Sequence, residues 1–91
     1  MKKFHPTTQY RKDYKRIKND SKKVQALKEV LLMLQNEEPI PEEFFPHPLH
    51  GNYKGCMECH IQGDFLLIWI DTDNDIIELV RIGTHSELFG K

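Results

Sequence analysis

A chain of 91 residues, 38% hydrophobic and 30% charged with a formal net charge of −1, describes one soluble α+β domain over 1–91, large enough for a single modest core. A pI near 6.5 argues against generic nucleic-acid binding, and no segment is long and apolar enough to span a membrane. The opening MKKFHPTTQYRKD has lysines but no apolar run like that of a secretory signal, so the expected location is cytoplasmic.

The near-neutral total hides a strong asymmetry. Residues 1–28 carry ten Lys/Arg against two Asp, a balance of +8; residues 29–91 carry three Lys/Arg against twelve Asp/Glu, a balance of −9. Such a split reads either as solvated helix faces followed by an acidic loop, or as a basic surface for RNA or an acidic partner segment.

Lys3-Phe4-His5 reads as a short edge strand, because Pro6 disfavours helix at His5. Thr7 or Thr8 caps a helix running to about Lys18, with Tyr10, Tyr14 and Ile17 on one stripe. Asn19-Asp20-Ser21 breaks the pattern and supplies the next cap. A second helix runs to about Asn36 on a stripe of Val24, Leu27, Leu31 and Leu34, widened by Val30 and Met33. So short a junction makes the two helices an antiparallel hairpin. Glu37 to Pro48 holds prolines at 39, 41, 46 and 48 and is a connector, pinned by Phe44 and Phe45.

The remaining chain reads as sheet. In Cys56–Gln62, Met57, Cys59 and Ile61 face one way and Cys56, Glu58 and His60 the other. Phe65–Asp71 begins with the most apolar run in the chain, FLLIWI, as expected of a strand buried on both faces. Gln62-Gly63-Asp64 joins this antiparallel pair. Thr72-Asp73-Asn74-Asp75 is a turn and Ile76–Ile82 the last strand, with Arg81 in phase with Ile77 and Leu79. Gly83 to Phe89 closes as a loop or a single helical turn. The expected order is β-α-α-β-β-β: a small antiparallel sheet with an N-terminal helical hairpin packed on one face.

Two constellations carry chemistry. Cys56-Met57-Glu58-Cys59-His60 matches C-x-x-C-H, a haem-attachment pattern, and the same residues suggest zinc. Residues three apart in a strand point to opposite faces, however, which opposes a shared ion or a disulfide, and Cys59 reads as a small core residue. The histidines matter more. His47 follows the rigid connector, His60 lies on a polar strand face, and His85 sits in a turn after the last strand. With Asp64 and Arg81 near strand ends they can meet at one rim of the sheet. That set holds groups able to move protons near neutral pH and one fixed cation. It suits cleavage of RNA by its own 2′-hydroxyl, with no metal cofactor required. The bland reading of Arg81 is a salt bridge; Phe89 is either a plug over the core or a platform for a base.

His47-Pro48-Leu49 with Gly51, then Glu58-Cys59-His60-Ile61, then Asp64-Phe65-Leu66-Leu67-Ile68, and finally Arg81 to Phe89 (RIGTHSELF) together resemble the YafQ branch of the RelE/ParE toxin superfamily. The resemblance covers about half the chain, 47–89, and implies a type II toxin that cuts mRNA in the ribosomal A site. It implies a cognate antitoxin as partner, contact with ribosomal RNA, and a toxin–antitoxin complex that is a candidate for operator DNA. By motif position His47, His60, Asp64 and His85 would be the catalytic cluster, with Arg81, Phe89 and Phe65 accessory. Phe65 stands where such toxins often have Trp. The alternatives are a ParE-like toxin that inhibits gyrase by binding alone, and a Cys/His metal or haem protein.

Overall fold

The computed structural model describes residues 1–72 and 74–90. The chain runs β1 (Lys3–Pro6), α1 (Thr8–Ile17), α2 (Ser21–Gln35), a 3₁₀ turn (Glu42–Phe44), β2 (His47–Pro48), a second 3₁₀ turn (Gly51–Tyr53), β3 (Met57–Gln62), β4 (Phe65–Asp71), β5 (Ile76–Gly83) and α3 (His85–Phe89). Asp73, within the turn expected before β5, lies outside the described residues. No described helix is long and apolar enough to cross a membrane.

The helix starts follow from their caps. Thr7 accepts from the Tyr10 amide and Asp20 from the Lys23 amide, satisfying donors that a helix start leaves open. The two helices cover one face of a five-stranded sheet of order β1-β5-β4-β3-β2. Cys59, Ile61, Phe65, Leu67, Trp69, Ile77 and Leu79 meet Tyr10, Ile17, Leu27, Val30 and Leu34 there. On the other face Leu66 and Ile68 pack with Cys56 and Leu88. Apolar cover on both sides is why β4 could afford no alternation.

The sheet is mixed rather than wholly antiparallel, because β1 pairs parallel with β5. Parallel neighbours need a long crossover, and the whole chain between them supplies it. A second difference decides the fate of Arg81. Ile68 pairs with Arg81 but Trp69 with Leu79, so Val80 is an extra residue, a bulge that changes the phase of the strand. Ile82, not Arg81, therefore joins Ile77 and Leu79 in the helix-side core.

β1 ends at Pro6, and among the described residues no strand lies beside the last residues of β5 on that edge. The start of α1 takes its place. The Thr7 amide donates to Leu79 O, Thr7 Oγ1 donates to Val80 O at 2.8 Å, and the Ile82 amide donates to Asp13 Oδ2 at 3.1 Å. Asp13 is fully buried, and its carboxylate also takes Arg81 Nε at 2.7 Å, Arg81 Nη2 at 3.0 Å and Arg16 Nη2 at 2.7 Å. Burial by itself pushes the Asp13 carboxyl up, but the hydrogen bonds from Arg81 and the Ile82 amide, with the Arg81 charge, outweigh it and hold the group below its ordinary value.

A carboxyl whose folded pKa lies below its unfolded one contributes fully above its ordinary pKa of about 4 and loses that contribution as pH falls through the folded value. Asp13→Asn should cost about 3 kcal/mol or more at neutral pH, because it leaves the Arg81 charge without its counter-ion. It should also flatten the acid limb of the stability curve. Urea denaturation across pH 2–7 checks both; an unchanged midpoint would show that the pair adds nothing net.

Candidate active site

The site stands on the sheet face opposite the helices. Alternation along β3 sends Cys59 and Ile61 into the helix-side core and leaves Glu58 and His60 on the other face. The two-residue strand β2 places His47 directly across from Glu58, where cross-strand side chains touch. His47 Nε2 lies 3.0 Å from Glu58 Oε1 and His60 Nε2 3.9 Å from the same oxygen. His47 Nδ1 is 3.2 Å from Pro48 O. Glu58 is 2% exposed, and among the described residues its other oxygen, Oε2, has no hydrogen-bond partner.

A second carboxylate–imidazole pair forms between two turns. Gly63 takes φ +55°, a conformation glycine adopts without strain, in the β3–β4 hairpin that presents Asp64. Across from it α3 begins with His85, held by a reciprocal cap: Thr84 Oγ1 accepts from the Glu87 amide and Glu87 Oε1 from the Thr84 amide. Asp64 Oδ1 accepts from the His85 amide at 3.1 Å and lies 2.5 Å from His85 Nδ1. These bonds, first the one to the ring, hold the Asp64 carboxyl below its usual range. Gly83 lets Glu87 reach back, since a Cβ there would stand 2.7 Å from Glu87 Oε1.

The two pairs adjoin. Ring centroids are 6.4 Å apart for His47 and His60 and 5.7 Å for His60 and His85. His47, His60, Asp64 and His85 thus share one rim, close enough for a single phosphodiester to be reached through direct or one-water hydrogen bonds. Phe89, 39% exposed, stands 6.0 Å from His85 and edge-on to Tyr53 at 5.7 Å.

Two accessory residues take other places than the sequence suggested. Phe65 is 2% exposed, in the helix-side core, with Lys23 over its ring; no base can stack on it. Arg81 is not a free cation at the rim. Its guanidinium grips Asp13 and reaches Tyr53 Oη at 3.3 Å and Glu87 O at 3.4 Å. Those bonds raise its pKa further and make it the residue that holds α3, and so His85 and Phe89, in place.

Three residues escaped the sequence reading. Glu58 shared a strand face with His60, which was a usable signal, but nothing local marked it as buried. Phe45 was assigned to the core; it is 65% exposed, has φ +49°, and meets the His60 ring edge-on at 5.6 Å. A non-glycine residue in that backbone region is uncommon. Tyr53 had no distinguishing context. The cysteines separate as expected: Cys59 belongs to the helix-side core and Cys56 to the cluster on the opposite face. Burial pushes the Cys59 thiol up to about 12, which leaves it an inert core residue.

Residues 2–90 match the family described as "Bacterial toxin of type II toxin-antitoxin system, YafQ". The mRNA interferase toxin YafQ of Escherichia coli is 37% identical over 83 residues, covering 90% of this chain and 89% of that protein. A copper-bound mutant toxin from Helicobacter pylori superposes with a TM-score of 0.87 at 36% identity, covering 98% of this chain and 100% of the other. A chain of the E. coli DinJ–YafQ complex superposes with a TM-score of 0.85 at 32% identity, covering 99% and 100%.

Asp64→Asn should loosen the first turn of α3, because the His85 amide and ring both lean on that carboxylate. Faster hydrogen exchange at the His85 amide, with the β4 amides unchanged, is the expected result. Unchanged exchange would assign the stability of this turn to the Thr84–Glu87 cap alone.

Proposed function

The chain belongs to the YafQ family of bacterial type II toxins, and from that premise we propose that it is a ribosome-dependent mRNA endoribonuclease, held inactive in the cytoplasm by a cognate antitoxin. The observation that carries the reading is the adjacency of two carboxylate–imidazole pairs, Asp64–His85 and Glu58 with His47 and His60. Cleavage through the 2′-hydroxyl needs one group to take a proton from that hydroxyl and another to give one to the 5′-oxygen leaving group. Two coupled pairs facing one rim supply both. Asp64 at Nδ1 orients the His85 ring and leaves Nε2 to meet the substrate, as a carboxylate does for a catalytic imidazole elsewhere. In this reading His85 is the proton-transfer residue that acts closest to the scissile bond. His47 and His60, when protonated, supply the positive charge that Arg81, spent on Asp13, does not.

Phe89 and Phe45 stand beside His85 and His60 respectively and suit stacking on bases either side of the cut. A gyrase poison that works by binding alone has no use for this convergence, which is why the nuclease reading is preferred.

The antitoxin has a natural seat. A groove of about 500 Å³ between α1 and α2 is floored by Tyr10, Tyr14, Leu27 and Leu31 and rimmed by Arg11, Lys15, Lys18 and Lys28. An acidic amphipathic segment complements it, and the same basic face suits ribosomal RNA, so a bound antitoxin would occlude the toxin from the ribosome. Lys15→Glu with Lys28→Glu should weaken antitoxin binding about tenfold, with a smaller salt dependence than wild type. Calorimetric titration at two salt concentrations measures it.

Induction of wild type and His85→Ala in a bacterial host, with mapping of new mRNA 5′ ends, tests the main reading. Wild type should arrest growth and give in-frame cuts. His85→Ala should lose about 10²–10⁴-fold in cleavage yet fold and bind antitoxin normally, since its side chain is half exposed. Growth arrest with intact mRNA would favour the gyrase-type mechanism instead.

A further inference from the structure

The turn that leads from β2 into β3 meets the end of α3 over a hollow that the proton-transfer cluster does not use. A cavity of about 270 Å³ is lined there by His50, Asn52, Tyr53, Leu88 and Phe89. We propose that it binds one unpaired nucleobase of the RNA beside the cut, and that Asn52 reads the edge of that base. The proposal rests on the nuclease reading above and adds a determinant of which messages are cut.

The lining has the two parts that recognition of a single-stranded base needs. The first is a surface to stack on. The Tyr53 and Phe89 rings stand at 88° with centroids 5.7 Å apart, an angled corner that takes a flat ring against one of them and stops it against the other. Stacking alone accepts any base, since every base has a π-face. The second part is a polar edge, which supplies discrimination. The Asn52 amide offers a donor and an acceptor side by side, and Asn52 and His50 are both exposed. His47, His60 and His85 each face a carboxylate instead. The volume lies just below the ~300–1,000 Å³ of sites for larger ligands and suits a single base.

The cavity is preformed, and it is tied to the catalytic rim. Gly51 turns the chain at φ +68°. The Leu49 amide donates to Cys56 O at 2.9 Å, the Lys54 amide to Gly51 O at 3.1 Å and the Cys56 amide to Tyr53 O at 2.9 Å, which closes the loop. The Tyr53 hydroxyl accepts from Arg81 Nη1 at 3.3 Å, so that wall is anchored through Arg81 to Asp13. Walls already fixed lose little freedom when a ligand enters. Phe89 belongs to both sites, since it lines the cavity and stands 6.0 Å from the His85 ring. A base seated in the cavity therefore sets where its own ribose and phosphate lie relative to His85. A base whose edge mismatches Asn52 leaves the amide unpaired and the scissile bond out of position.

Wild type, Asn52→Ala and Asn52→Asp proteins would be added to ribosomes stalled on messages that vary one base at a time around the cut, and the cleavage rates compared. Both substitutions are at an exposed turn position, and thermal unfolding checks that the variants fold. At one flanking position, and only there, Asn52→Ala should reduce the ratio between the fastest and slowest base by about fivefold or more. Asn52→Asp keeps the shape but replaces the amide donor by a second acceptor, so it should change the order of the four bases at that same position rather than flatten it. A wild type that cuts but is indifferent to the base at every flanking position, or preferences unchanged in both variants, would overturn the subsite and leave the nuclease reading standing. An equal change at every position would show that Asn52 acts through the general shape of the turn, and would overturn the subsite as well. A wild type that cuts no message would overturn the nuclease reading, and the subsite with it.

Discussion

Asp13 is a carboxylate with no solvent around it, and its hydrogen bonds decide where three elements sit. It closes the open edge of β5 by accepting from the Ile82 amide, a job another strand would otherwise do. It also fixes Arg81 in a two-nitrogen grip, the geometry in which a guanidinium is most strongly oriented. Arg81 passes that order outward to Tyr53 and to the carbonyl of Glu87. Arg16, on the same carboxylate, pairs through Nε with Glu87 Oε2 at 3.2 Å. Glu87 uses its other oxygen to cap α3. A five-residue helix is too short to be stable alone; this one is held from α1 by a chain of ionic hydrogen bonds and by Leu88 in the core. Since α3 carries His85 and Phe89, the buried pair sets the geometry of the candidate site from the far side of the sheet edge.

The site is assembled from rigid and irregular pieces in combination. Glu58 and His60 stand on β3, next to the fully buried β4. His47, Asp64 and His85 come from a two-residue strand, a hairpin turn and a helix start, each fixed by a short-range bond to a partner already in place. Burial differs sharply between the two carboxylates. Glu58 is shut in beneath two imidazoles, while Asp64 is exposed and held by the His85 ring and amide. The two pairs therefore respond differently to charge arriving at the rim, with Glu58 the more demanding of a cation because water does not reach it.

Much of this was legible from residues alone, and the failures share a cause. Thr7 and Asp20 as caps, the Leu27–Leu34 stripe and the doubly buried FLLIWI run are local signals, and local structure follows them. The histidine rim was legible because β3 alternation and two turn positions converge in any sheet of this order. What was not legible depends on tertiary register. Phe65 was an accessory candidate by motif position alone, and a strand buried on both faces does not reveal which of its residues meets the helices. The bulge at Val80 moved Arg81 out of phase with Leu79, and no residue type at that position announces it. The parallel pairing of β1 and the left-handed backbone of Phe45 are likewise set by distant chain, not by neighbours in sequence. Asp13 read as one of two acidic residues in a basic stretch, when it is the counter-ion that stretch folds around.

The central claim is that this cluster cuts RNA by driving the 2′-hydroxyl onto the adjacent phosphorus, and it has a direct chemical signature. A translating ribosome would be programmed with mRNA carrying a single 2′-deoxynucleotide on the 5′ side of the scissile phosphate, and cleavage by the wild-type protein measured beside the all-ribose message. The account predicts cutting of the ribose message, leaving a 5′-hydroxyl end, and none at the deoxy position. Equal cutting of both messages would show that water or another group attacks, and would contradict the mechanism assigned to the two carboxylate–imidazole pairs.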